Sequence, residues 1–260
     1  MLDPLEIPRS VEDLYLARGS EVSILRPIMT GDVFGDVEIP GVDDVDGDED
    51  KLALVVSHPC SMREDCALKP TLQAIRVVRA GVVELNAWKQ QFDRMPLPNL
   101  LGESDDDLTM NPADSYAAMF DLRGRVSTKG ILLENRKACL SEEGVGFLHQ
   151  RIGHADTRFA PRVSDLVAAC ASPFAETELA EEWNMTVSDL VESDPVKRDE
   201  MLLNAAREFD EVLSALRQAP PVGGKKANGY RLRDDLGIPK KLPGARREIR
   251  RIIKQRLISS

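Results

Sequence analysis

Aromatic side chains are scarce: seven Phe, three Tyr and two Trp make up 5% of 260 residues. The segment 243–257 has none, which excludes base stacking and aromatic membrane anchoring there. No apolar run approaches the ~18 residues of a membrane-spanning helix. The opening stretch Met-Leu-Asp-Pro-Leu-Glu lacks the basic and apolar regions of a signal peptide, so a soluble cytoplasmic protein is expected. The four cysteines, at 60, 66, 139 and 170, contain no CxxC pair and suit a reducing compartment. There is no internal repeat and no complete catalytic motif, and no cofactor is expected.

What is present is charge, unevenly placed. The net charge is −10, yet residues 221–260 carry twelve Lys or Arg against three Asp or Glu. A basic tail on an acidic body points to a polyanion contact, an intramolecular clasp or a site on an acidic partner. The bland alternative is a solvated tail.

Ser10 and Asp13 predict a capped helix running to about Arg18. A strand is expected from about Asp32 to Ile39. Residues 41–50 form an acidic loop whose spacing fails the calcium-loop pattern, because Gly47 is misplaced and no Glu stands at the twelfth position. Leu52–Ser57 is nearly continuously apolar, as for a strand buried on both faces. Leu72–Val78 predicts the next strand. Val83–Arg94 has helical spacing, and Pro96 and Pro98 should stop it. Residues 99–115 read as a surface loop and Tyr116–Val126 as a strand. Ser141 caps a helix to about Ile152.

After Pro161 the pattern turns helical, with segments at Val163–Ala171, Glu176–Asn184, Ser188–Glu192 and Val196–Arg217. Pro220, Pro221, Gly223 and Gly224 mark a linker. The chain closes on a helix over Pro243–Leu257, with Ile249, Ile252, Ile253 and Leu257 forming an apolar stripe among arginines.

The order of elements from residue 31 to 152 resembles the MazF/PemK toxin family of SH3-like barrels. The carrying pieces are Gly31-Asp32-Val33-Phe34, Leu54-Val55-Val56-Ser57, Ala74-Ile75 and Leu140-Ser141-Glu142-Glu143. The resemblance implies an α+β fold: an SH3-like small β-barrel with inserted loops and a helical C-terminal part. It also implies a toxin–antitoxin or defence setting. The family's ribonucleases use an Arg before the second strand and a Thr or Ser after the third. Here Asp50-Lys51 and Arg76 stand at those places. Lysine supplies charge without the planar fork of arginine.

The most unusual string is Ser57-His58-Pro59-Cys60-Ser61-Met62-Arg63. A His near an Arg at a strand end can serve as an acid–base group and phosphate clamp in RNA cleavage. The candidate catalytic set is His58, Arg63 and Arg76, with Lys51 assisting. Arg79 would add to the positive field. Against this stands a rigid turn, with His58 bonded to a carbonyl and Cys60 packed as a small hydrophobe. A zinc reading of His58, Cys60 and Cys66 has only three local ligands, and Cys60 as a nucleophile has no third orienting group, so no metal site is expected. His149 and His154, with Arg151, Arg158 and Arg162, read as ordinary complementation of a helix C-terminus, with phosphate binding as the alternative. Residues 177–192 echo a helix-turn-helix with Asn184 at the turn. The second helix carries Asp189 and Glu192 and no cation, so a plain helical hairpin is the simpler expectation.

Four segments follow: a helical 1–19, a barrel over 20–160, a helical region over 161–220 and a basic tail over 221–260. The tail offers Arg246, Arg247, Arg250, Arg251 and Lys254 as nucleic-acid contacts. Its apolar stripe can also dock in a protein partner's groove. The leading expectation is a nucleic-acid-associated barrel protein that binds RNA or another polyanion and that, if it is an enzyme, is a divergent metal-independent endoribonuclease. The alternatives are a non-catalytic adaptor, for which a homodimer through the acidic loop of another copy is one form, and a helix-turn-helix regulator. No membrane partner is expected.

Overall fold

The computed structural model describes residues 5–42, 51–64, 67–81, 83–102, 108, 115–188, 207, 209, 211, 243–244, 246–247 and 250–251. The chain divides into two compact units. The first comprises residues 1–24, 28–64 and 68–168, and the second residues 25–27, 65–67 and 169–260. The acidic residues 43–50 lie outside the described residues, as do most of the predicted helix over 196–217 and Lys254.

The first unit is α+β and built on one antiparallel sheet. Its strands are β1 (Tyr15–Arg18), β2 (Asp32–Phe34), β3 (Leu52–Val55), β6 (Thr71–Arg79), β7 (Arg94–Pro98), β8 (Ser115–Ser127) and β9 (Arg136–Leu140). They lie in the order β1-β9-β2-β3-β6-β8-β7. Two short strands, β4 (Arg63–Glu64) and β5 (Ala67–Leu68), pair separately. Register shifts at Tyr15/Ala17, Val33/Phe34 and Ile75/Val77 let the sheet bend, since a bulge sharpens local twist. The bend brings the two edge strands together. The Tyr15 hydroxyl in β1 donates to the Pro98 carbonyl at the end of β7 at 3.0 Å, and Arg18 Nη1 donates to the Asn99 carbonyl at 2.7 Å. The sheet is therefore a curled half-barrel.

The barrel interior is apolar. Phe34, Ile39, Ala53, Val55, Leu72, Ala74 and Val126 form one buried cluster with Ile28 and Met62. All four residues of β3 are buried, as its unbroken apolar run predicted, because Leu52 and Leu54 take the opposite face from Ala53 and Val55. A buried ion pair anchors β2 to β9: Arg136 Nε lies 3.3 Å from Asp32 Oδ2, which also accepts the Met29 amide at 2.9 Å. Gly31, with a φ of 91°, precedes it, and a Cβ there would sit 2.7 Å from Val145 of the following helix.

Among the described residues three α-helices have both bounds placed. Ser10 caps as expected, its Oγ accepting from the Asp13 amide at 3.3 Å. The helix it starts, α1 (Val11–Leu14), is however one turn long and passes directly into β1. The predicted continuation to Arg18 is thus corrected: Tyr15–Arg18 gain a ladder with β9 that outweighs local helical spacing. Ser141 caps α2 (Glu142–Thr157) through the Gly144 amide at 2.9 Å. Residues 85–90 form a 3-10 helix rather than the longer helix expected from 83 to 94. Pro96 and Pro98 sit inside β7, which is tolerable because β7 is a sheet edge. Finally, α3 (Val163–Ser188) is one helix where two were expected. It carries Pro173 internally and runs unbroken through Asn184, where a helix-turn-helix would turn. Asn184 instead donates to the Leu25 carbonyl at 2.8 Å. No helix of the described residues is long and apolar enough to cross a membrane.

Candidate functional site

The predicted site residues separate along β3. Lys51 precedes the strand and His58 follows it, so they stand at opposite ends of an element about 13 Å long at ~3.3 Å per residue. Lys51 adopts a φ of 41°, and its Nζ lies 3.7 Å from Glu38 Oε1. Arg79 lies beyond the same end of the paired strand, since Leu52 is opposite Val77 in register. It is exposed, with its guanidinium 5.3 Å from the Tyr116 ring centroid.

Arg76 belongs to neither end. It pairs with Ala53 in register and alternates onto the face of Leu72 and Ala74, inside the sheet. It is 1% exposed, and its Nη1 donates to the carbonyls of Val37 and Leu52 at 3.0 and 3.3 Å. Burial lowers its pKa. These bonds make Arg76 an internal tie between the segment after β2 and the start of β3, and its position does not present it to a polyanion in solution.

His58 and Arg63 share the other end. Behind them the backbone is closely tied: the Thr30 hydroxyl donates to the Ser57 carbonyl, and Ser57 Oγ accepts the Gln73 amide at 2.7 Å. The Ser61 amide and hydroxyl both donate to the His58 carbonyl, each at 2.8 Å, so the turn is closed by two hydrogen bonds. Arg63 is half-buried, and its Nη2 donates to the Ile28 carbonyl at 2.8 Å. Burial lowers the pKa of its guanidinium while the charge of Asp32 opposes the shift.

The residue that sequence reasoning did not join to this turn is His149 on α2. Its ring lies edge-on to His58, centroids 5.8 Å apart. His58 is exposed and His149 half-buried, with an Nε2 that has no hydrogen-bond partner. Burial, and secondarily the neighbouring His58, push its pKa down to about 4, so His149 is neutral at physiological pH. The expectation that His149 merely complements a helix end does not account for this placement. The turn therefore presents an exposed imidazole with a neutral imidazole at its edge, and the Arg63 guanidinium, at the start of β4, is engaged by the Ile28 carbonyl. The imidazole pair can exchange a proton. Cys66 lies outside the described residues, and among the described residues no group of three His, Cys, Asp or Glu is arranged to hold a metal ion.

In the second unit the tail arginines meet the chain's own carboxylates. Arg246 pairs with Glu178, and Arg250 pairs with Glu182 at 2.6 Å. Both pairs are four residues apart on their helices, so they form two rungs of one ladder. Arg26 makes a further pair with Glu181 at 2.9 Å. Arg247 is exposed, and Arg251 is helical and exposed.

No family model, curated protein or solved structure matched the chain in comparisons with known proteins.

Proposed function

We propose that the protein is a nucleic-acid-associated barrel of the MazF/PemK kind, with an SH3-like core, and that it cleaves single-stranded RNA without a metal at the end of β3 that carries His58. The observation that carries this reading is the exposed His58 ring set edge-on to a neutral His149, with Arg63 five residues further along the chain. In the step envisaged, the ribose 2′-oxygen attacks the adjacent phosphorus as His58 takes its proton. The bond from phosphorus to the 5′-oxygen then breaks, that oxygen takes a proton from water, and the hydroxide left behind takes the proton held by His58. A 2′,3′-cyclic phosphate and a 5′-hydroxyl result. His149 remains neutral and so does not repel the imidazolium that His58 becomes. Arg63 balances charge on the phosphorane-like transition state. A toxin–antitoxin or defence setting follows from the family resemblance.

Of the residues first grouped for this chemistry, Lys51 and Arg76 drop out of the step by position. End-labelled RNA incubated with excess protein and a chelator tests the reading. Cyclic-phosphate ends should form, His58→Ala should lower the rate by a factor of about 10²–10⁴, and Lys51→Ala should leave it near wild type. RNA that stays intact, with His58→Ala indistinguishable from wild type, would refute the enzymatic reading.

The adaptor reading draws on the ladder between Arg246, Arg250 and α3, which occupies two cations of the tail within the chain itself. It predicts that a protein partner, rather than RNA, engages the tail's apolar stripe.

A further inference from the structure

A second group of polar side chains lies on the far side of α2. Arg151 is two positions from His149, about 200° around the helix, so it faces away from the His58 turn. It is fully buried at 0% exposure. Among the described residues its Nε and Nη1 have no hydrogen-bond partner, and its Nη2 reaches the Trp88 carbonyl at 3.5 Å. The guanidinium sits 6.0 Å from the centroid of the Trp88 ring. Burial lowers its pKa to about 10 and no carboxylate offsets that loss, so the group remains a cation at neutral pH. One turn on, His154 is 3% exposed with an Nδ1 that also lacks a partner. Its ring stacks on Phe92 at 4.7 Å, and Phe92 is itself 40% exposed.

Burying a charge without a counter-ion is among the most costly arrangements a fold can contain. Here the cost is concentrated in one place. Three N–H bonds of Arg151 are unmatched among the described residues, and His154, three positions on along α2, can add a fourth through Nδ1. The ring of Trp88 offsets only part of this. A small anion with several acceptor lone pairs would match every one of these donors.

We propose that Arg151 and His154, walled by Trp88 and entered past Phe92, form a binding site for a compact oxyanion, a phosphate or a carboxylate. The site is separate from the His58 turn and does not depend on RNA cleavage. Its occupant would bridge α2 to the 3-10 helix over 85–90, so binding would fix that helix against the barrel.

Trp88 reports on the site directly. In a Trp183→Phe background it is the sole tryptophan, and its emission can be followed while inorganic phosphate, acetate or, as the ionic-strength control, chloride is added. The expected result is a saturable change with phosphate or acetate, with a midpoint below about 1 mM, and none with chloride. Saturation by phosphate alone identifies a phosphoryl ligand, and by acetate alone a carboxylate. Arg151→Met should abolish the change, and Arg151→Lys, which keeps the charge but loses the planar donor set, should weaken it roughly tenfold or more. No saturable change with either anion overturns the proposal, as does an equal response in Arg151→Met. Where Arg151→Met fails to fold, undiminished affinity in Arg151→Lys overturns it.

Discussion

The hydroxyl of Tyr15 donates to the carbonyl of Pro98, and with the bond from Arg18 to the Asn99 carbonyl it ties the first strand of the sheet to its opposite edge. These side-chain bonds matter to the half-barrel because β1 and β7 are not neighbours in the strand order. Tyr15→Phe keeps the ring and deletes the donor, leaving a buried carbonyl short of a partner. The expected loss is about 1 kcal/mol in urea unfolding at pH 7. Amide exchange should also quicken at Tyr15–Arg18 and Arg94–Pro98 ahead of the central strands. Unchanged stability and exchange would mean that the curl is held by the bulges and the Arg18 bond without Tyr15.

Protonation of His149 should limit acid stability. Its folded pKa of about 4 lies below the ordinary value of 6.5, so the folded state refuses a proton that the unfolded chain accepts. Stability is full above pH 6.5 and drains as the pH falls toward 4. The gap between 6.5 and about 4 corresponds to about 3 kcal/mol. Urea unfolding at pH 7, 6 and 5 should show the decline, and His149→Leu should flatten most of it. A smaller slope should persist from His154, whose pKa burial and Arg158 also lower. An imidazole signal for His149 that titrates near 6.5 would contradict the burial argument.

The rung between Arg250 and Glu182 is open to a charge swap. Either Arg250→Glu or Glu182→Arg alone should weaken unfolding stability, and the double reversal should restore it. The coupling expected for such a solvent-facing pair is about 0.2–1 kcal/mol. It should vanish in 1 M salt, where the screening length is about 3 Å. Additive single effects would show that the pair does not act together in solution.

Local chemistry made part of this fold legible in the sequence. Ser10 and Ser141 announce their caps, and the apolar run at Leu52 announces a strand covered on both faces. The missed elements are those decided at long range. Arg136–Leu140 is charged and short, yet it lies inside the sheet between β1 and β2, where Asp32, 104 positions earlier, pairs with Arg136. Pro96 and Pro98 read as stops, and only an edge position allows them inside a strand. Pro173 reads as a break, yet the helix continues through it, with Thr177 Oγ1 donating to its carbonyl at 2.9 Å. The site divides in the same way. The turn at His58 stands out locally, whereas its partner His149 comes from a helix 91 positions away. Arg76 misleads because one polar residue in an apolar strand gives no sign of which face it takes.

The prolines of β7 carry a consequence for the molecule in a crowded solution. A sheet that stops short of full closure leaves a row of backbone groups on which a stray extended chain can build. Pro96 and Pro98 have no amide hydrogen, so an intruder aligning along that margin meets two gaps within three residues. Self-templated fibre growth from this border is disfavoured by the covalent structure of the border itself.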